Sequence, residues 1–436
     1  MNSKHHKNIC YAPFIHKYIH PNDGPQICCE SGELLSEHTP ESLDLETHWK
    51  SEYYQNIRRR MLAGEKLDIC RSCWDLEDDG YDSDRLMYND KYNDHNKPEL
   101  DIVKGTEIGK PLDLDIRPSN LCNLKCKMCV PQYSSQLDKE SQAYPYLKIW
   151  MGTQSEFANT DIMTEENIEH LIAGLTSNSE IKFLGGEPTI MPEVSTILDK
   201  LIEINKTNCH ISITTNCTNF NNQAMFDKLA KFESVSAQLS IDGMGKTLEY
   251  IRFPVNWKKA QEVMLQWVNI TNHREIHFTL QALNLFNVYD FLFWLADFNK
   301  KIDSTLDEIK YNNNGDSVIQ IPVEFYTLEL PDWADIKNLP VSDRHKEAER
   351  ILSITDPYVI RLMNESERPL VHCLNKLLLD NDKGDMLRLA RASKHFDTAR
   401  QQHINNYVPE VYSFVKDLYD DVPTPKNLRL AKGVVG

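Results

Sequence analysis

The sequence predicts an α/β protein: a partial (β/α)6 TIM-like barrel over residues 110–330, a small cysteine-rich N-terminal module over 1–95, and a helical C-terminal region over 331–436. Three observations carry this expectation. Six short apolar runs alternate with helix-length stretches between residues 112 and 330, the pattern of βα units and therefore of a parallel sheet. The eleven cysteines are concentrated toward the N-terminus, with Cys10, Cys28, Cys29, Cys70 and Cys73 ahead of the barrel and Cys122, Cys126 and Cys129 at its start. Beyond residue 331 the alternation stops, and stretches such as DRHKEAERILSI and NYVPEVYSFVKDLYD have helical spacing.

The elements follow in order. HPNDGPQICCESG carries the Asn-Asp-Gly signal of a hairpin turn, and SEYYQNIRRRMLAGE reads as a helix closed by Gly64. The polar stretch NDKYNDHNKPEL reads as a linker. Strands are expected at 112–118, 181–186, 210–216, 234–242, 275–283 and 323–330, and helices at about 164–176, 192–205, 221–231, 256–271 and 289–299. In such an arrangement the chemistry gathers at the C-terminal ends of the strands. Cys122 to Cys129 directly follow the first of these strands. No internal repeat suggests a solenoid.

Composition narrows the function classes. With 436 residues, 41% hydrophobic and 26% charged, the chain has ordinary globular proportions. It has no apolar run of membrane-spanning length, and MNSKHHKNICYAPF lacks the apolar core of a signal peptide, so a cytoplasmic protein without a membrane partner is expected. A net charge of −17 argues against a nucleic-acid partner, whose phosphates call for clustered Lys and Arg. In a reducing compartment the cysteines point to metal or redox use rather than disulfides.

The stretch SNLCNLKCKMCVPQ spaces Cys122, Cys126 and Cys129 as C-x3-C-x2-C. Three soft thiolates around a small volume suit an iron–sulfur cluster better than zinc, whose structural sites close with a fourth protein ligand. A cubane on three cysteines leaves one iron open, and the fourth ligand is then a small molecule.

Over roughly residues 110–330 the sequence resembles the radical S-adenosylmethionine (radical SAM) enzymes. The resemblance rests on the cysteine loop, GGEP at 185–188, TTN at 214–216 and SID at 240–242, each at an expected strand end. Met128 departs from it, because many members carry an aromatic residue there. The resemblance implies a [4Fe–4S] cluster on the three cysteines, with S-adenosylmethionine chelating the open iron. It implies a one-electron donor such as flavodoxin or ferredoxin, and cleavage to a 5′-deoxyadenosyl radical that abstracts hydrogen from a substrate. Gly185, Gly186 and Glu187 would meet the methionyl amine, as glycines let a ligand approach the backbone closely. Thr215, Asn216, Ser240, Asp242 and Arg252 are the other cofactor-binding candidates, with Asp242 for ribose hydroxyls and Arg252 either for the carboxylate or for a surface Glu. Cys217, just after TTN, is read as a small packing residue, with hydrogen-atom donation to a substrate radical as the alternative.

CYAPFIHKYIHPNDGPQICC and CRSCWDLEDDGYDSDR resemble the twitch or SPASM modules that hold auxiliary iron–sulfur clusters in the same superfamily. Cys10, Cys70, Cys73 and one of Cys28 and Cys29 would be the ligands, with a structural zinc as the alternative. The nearby His5, His6, His16 and His20 are read as solvated. Modules of this sort imply a peptide or protein substrate, or a small molecule. Two further classes stay open: a non-catalytic redox or regulatory iron–sulfur protein, and a radical enzyme acting on nucleic acid.

Overall fold

The computed structural model describes residues 7–20, 24–31, 44–78, 82–94, 109–152, 162–220, 222–304 and 319–423. They fall into two compact units, one drawn from Met1–Asn120, Ala158–Ile213 and Asn222–Ser236, the other from Leu121–Phe157, Thr214–Asn221 and Ala237–Gly436.

The strands are β1 His16–His20, β2 Gly24–Gln26, β3 Asp113–Ile116, β4 Glu180–Phe183, β5 His210–Thr215, β6 Ser234–Ser240, β7 His273–Leu280 and β8 Val323–Thr327. Their order is β2-β1-β3-β4-β5-β6-β7-β8 in one open sheet. The pairs β1–β3, β3–β4, β4–β5 and β7–β8 are parallel. The pair β1–β2 is antiparallel, with Tyr18 opposite Gln26, which makes the sheet mixed. All six strands expected between 112 and 330 are present, and the N-terminal hairpin adds two more.

The hairpin's place in the sheet is a departure with a physical reason. HKYIH has no apolar alternation, yet every residue of β1 is buried. Partners from elsewhere in the chain make this tolerable, since a buried polar group is costly only when unpaired. Lys17 donates to the Leu45 carbonyl at 2.8 Å and lies 5.6 Å from the Trp49 ring centroid. His16 Nε2 is 3.1 Å from the Tyr88 hydroxyl. Burial accordingly corrects the expectation that His16 and His20 are solvated, and it holds both neutral, His16 down to about 3 and His20 to about 4. His5 and His6 lie outside the described residues.

In the same unit, helix Glu52–Leu62 begins on Ser51, whose hydroxyl accepts from the Tyr54 amide, and Gly64 follows it at φ +81°. The stretch expected to be a linker opens inside helix Asp84–Asp94. Tyr92 stacks on Tyr11 with centroids 3.7 Å apart, and the Asn89 side chain bonds the Tyr11 amide and the Ile9 carbonyl. Those tertiary contacts give polar residues a reason to be helical. Residues 95–100 of the stretch lie outside the described residues.

In the other unit, β7 alternates polar residues with buried Ile276, Phe278 and Leu280, and Phe278 meets Phe291 of helix Val288–Asp303 at 4.9 Å. The C-terminal region is helical, as expected, with helices Val341–Leu352, Pro357–Asn364, Leu370–Leu379, Met386–Arg400 and Pro409–Asp421. Among the described residues no helix is long and apolar enough to cross a membrane.

Candidate active site

The loop that carries the three cysteines has no regular structure and is held by bonds at both flanks. The amides of Lys125 and Lys127 donate to the carbonyls of Phe253 (2.6 Å) and Ile251 (2.8 Å). Ser134 Oγ donates to the Leu124 carbonyl at 2.7 Å, and the Cys122 amide donates to Ser135 Oγ at 3.2 Å. Serines at the start of helix Ser135–Ala143 thus serve both the helix and the loop. Cys122 and Cys126 are buried and Cys129 is partly exposed.

Among the described residues, the one group of three or more cysteine, histidine or acidic side chains whose ligand atoms all lie within 4.8 Å of one another is Cys29, Glu30 and Asp84. Three thiolates without a fourth protein ligand are a donor set that suits a polynuclear cluster, in which each thiolate takes a different iron, better than a structural zinc.

Several of the other candidates lie beside these thiols. Asn216 Nδ2 donates to Asn123 Oδ1 at 3.0 Å and lies 3.9 Å from Cys122 Sγ, while its Oδ1 accepts the Thr218 amide. Arg252 Nη1 lies 4.0 Å from Cys126 Sγ, and its Nε donates to Asp242 Oδ2 at 2.6 Å. Burial works against the charge of Arg252, but Asp242 and then Cys126 more than offset it, so the guanidinium stays charged. Burial pushes the Cys126 thiol up, with Arg252 the strongest opposing influence. Thr215 is buried, and Ser240 is partly exposed at the end of β6.

Two of the expected ligand groups have other work. Asp242 is 0% exposed, and its Oδ1 accepts the Thr279 amide at 2.7 Å while Oδ2 holds Arg252. It is an anchor for Arg252 rather than a free acceptor for ribose hydroxyls. This also decides the partner of Arg252, which is Asp242 and not a surface Glu. Glu187 is likewise 0% exposed, and its Oε1 accepts from Thr189 Oγ1 at 2.6 Å, capping the turn Pro188–Ile190. Gly185 does need to be glycine: at φ +121° a Cβ would meet the Ser119 carbonyl oxygen at 3.1 Å. Gly186 beside it is partly exposed.

Cys217 is 0% exposed in left-handed backbone (φ 57°), its amide donating to Thr215 Oγ1 at 3.2 Å. This is the geometry of a packing residue.

Sequence reasoning missed the charges beneath the loop. Lys127, between two of the cysteines, is 0% exposed with Nζ 3.6 Å from Asp397 Oδ1 and 3.9 Å from the Tyr250 ring centroid. Burial, and next Arg400, lower its pKa to about 7 against the pull of Asp397 and Glu140. Arg400 grips Glu140 with two bonds, at 3.1 and 2.7 Å, both side chains 1% exposed. A lysine inside the cysteine motif was visible, but a pairing some 260 residues apart leaves no local periodicity to read.

A second set of thiols lies in the N-terminal part of the chain. Cys10, Cys28, Cys70 and Cys73 line one small cavity together with Met61, Arg85 and Tyr88. Cys29 is exposed, with Sγ 3.5 Å from Oδ2 of Asp84, itself a residue of the cavity lining. Of the two adjacent cysteines, Cys28 lines this cavity. Burial pushes the Cys10 and Cys28 thiols up. Arg85 is fixed beside them by Glu77 (2.8 and 2.6 Å), by the Ile9 carbonyl (2.8 Å) and by the Trp74 ring.

With this geometry in place, residues 116–282 match the model of the radical SAM superfamily. That segment contains all three loop cysteines. None of the curated proteins matches the chain. Among solved structures it is similar to Streptococcus suis SuiB bound to S-adenosylmethionine, at 18% identity over 62% of this chain and 48% of that one, TM-score 0.31. It is similar also to native anSMEcpe with bound AdoMet, at 16% over 63% of each chain, TM-score 0.37. A third is Streptococcus suis SuiB bound to precursor peptide SuiA, at 16% over 72% of this chain and 62% of that one, TM-score 0.32. The chain spans less than two thirds of the length of each of these.

Proposed function

We propose that the protein is a radical SAM enzyme whose first cluster is held by Cys122, Cys126 and Cys129 and whose second is held by Cys10, Cys28, Cys70 and Cys73. The observation that carries the reading is the C-x3-C-x2-C loop inside the matched segment, with a buried cation against Cys126. When bound, the cluster supplies the electron that cleaves S-adenosylmethionine to a 5′-deoxyadenosyl radical, which then takes hydrogen from the substrate. The chain's own part is binding, orientation and exclusion of water. Arg252, kept charged by Asp242, suits the methionyl carboxylate. The backbone at Gly185 and Gly186 suits the amine, the Ser240 hydroxyl suits the carboxylate, and Thr215 and Asn216 are further polar groups for the cofactor. In this reading an external one-electron donor serves the enzyme, and the substrate is a peptide or protein.

The test is anaerobic reconstitution with iron and sulfide, then dithionite and S-adenosylmethionine, with 5′-deoxyadenosine measured. Replacement of all three loop cysteines by Ala should abolish its formation. Undiminished formation in that variant overturns the radical assignment, and saturable iron without cofactor binding favours a non-catalytic iron–sulfur protein.

A further inference from the structure

We infer that helix Met386–Arg400 is a latch for the cysteine loop, with Asp397 and Arg400 as positioning residues that hold the thiols in their ligating arrangement. The inference deepens the reading above and rests on it for the identity of what the thiols bind.

The loop is short and irregular, so its shape has to come from outside it. One flank is supplied by the amide bonds to Ile251 and Phe253. The other is supplied by side chains of a helix more than 250 residues later. Asp397 faces Lys127, and Arg400, one turn on, holds Glu140 in a two-bond pair that Lys125 approaches to 4.0 Å. Both anchors are themselves fixed. Asp397 Oδ2 accepts from the Ile404 amide at 2.7 Å and from the Tyr419 hydroxyl at 2.8 Å, and Arg400 lies 4.7 Å from the Phe396 ring centroid.

The burial is what makes this a device and not decoration. An exposed ion pair contributes little, but removing one partner of a buried pair strands the other in a poor solvent. Lys127 is 0% and Asp397 2% exposed. Loss of Asp397 leaves the Lys127 amine, charged or neutral, a buried donor without its nearest acceptor beside the rings of Tyr250 and Phe396, and movement of the loop brings that donor to water. Cys126 is its direct neighbour and must move with it. A purely space-filling helix would need none of this charge, and apolar residues of similar volume would fold at least as well.

The experiment follows the thiols themselves and does not need a cluster. In the full-length apo protein, iodoacetamide labelling is timed at each cysteine by mass spectrometry, with Cys209, 0% exposed in the other unit, reporting global unfolding. Asp397→Asn should label Cys126 roughly ten-fold faster or more than the parent protein, with Cys209 unchanged. Iron bound by the reconstituted protein should fall in step, and the Cys10, Cys28, Cys70 and Cys73 set should label as before. If Asp397→Asn also exposes Cys209, Arg400→Lys decides, since it keeps the charge and loses the two-bond geometry. It should accelerate Cys126 alone. Unchanged Cys126 labelling in a folded variant overturns the latch. Retained deoxyadenosine formation in the triple-cysteine variant overturns the cluster reading instead, and the labelling result still judges the latch.

Discussion

Removing the carboxylate of Asp242 should destabilise the unit it sits in and disable the cation beside Cys126. In Asp242→Ala the guanidinium of Arg252, whose side chain is 12% exposed, loses its counter-charge at 2.6 Å, and the Thr279 amide loses its acceptor at 2.7 Å. Breaking a buried pair from one side costs about 3–5 kcal/mol, and the orphaned amide adds roughly 1–3 kcal/mol. A unit of 150–250 residues moves by roughly 2–4 °C per kcal/mol, so the unfolding midpoint should fall by at least ~8 °C. Asp242→Asn preserves the shape and an acceptor for Thr279, and should lose about half as much. Differential scanning calorimetry of the apo proteins measures this directly, and equilibrium dialysis against S-adenosylmethionine reads the second consequence, weaker binding in both variants. An Asp242→Ala protein that melts with the parent and binds the cofactor equally would refute the anchor reasoning at its root.

Two further outcomes are expected. Cys28→Ser should lower the iron bound by the N-terminal thiols, whereas Cys29→Ser should not, because only Cys28 lines the shared cavity; equal losses in a metal analysis would undo that distinction. The protein should also be acid-sensitive through buried neutral histidines. Burial takes His16 and His48 down to about 3 and His20 to about 4, so below the ordinary pKa of about 6.5 the unfolded chain takes up protons that the folded one refuses. Stability is then full above pH ~6.5 and declines as pH falls, by at most roughly 4 kcal/mol per pH unit for the three together. Urea midpoints at about pH 7.5 and 5.5 check the sign; an equal or higher midpoint at the lower pH contradicts it.

Local pattern was enough for the repeating part of the molecule. Alternation and helical spacing placed six strands and five helices within a few residues of β3 to β8 and their connections, because each such element shows its buried face in its own sequence. The cysteine loop was equally legible, since ligand spacing is local. The sequence could not reveal what is decided by partners far along the chain. HKYIH became the buried strand β1 only because Leu45, Trp49 and Tyr88 receive its polar groups. That Cys28 and not Cys29 lines the cavity with Cys10, Cys70 and Cys73 depends on contacts that local sequence does not show. Asp242 and Glu187 read as ligands until Arg252, Thr279 and Thr189 occupied their oxygens. Lys127 read as an ordinary charge inside a motif, and its burial depends on an aspartate 270 positions later. Sequence by itself determined the periodic scaffold and the thiol spacing; the tertiary structure alone decided which polar groups are free to bind and which are consumed in holding the site, because burial and pairing depend on distance in space, not along the chain.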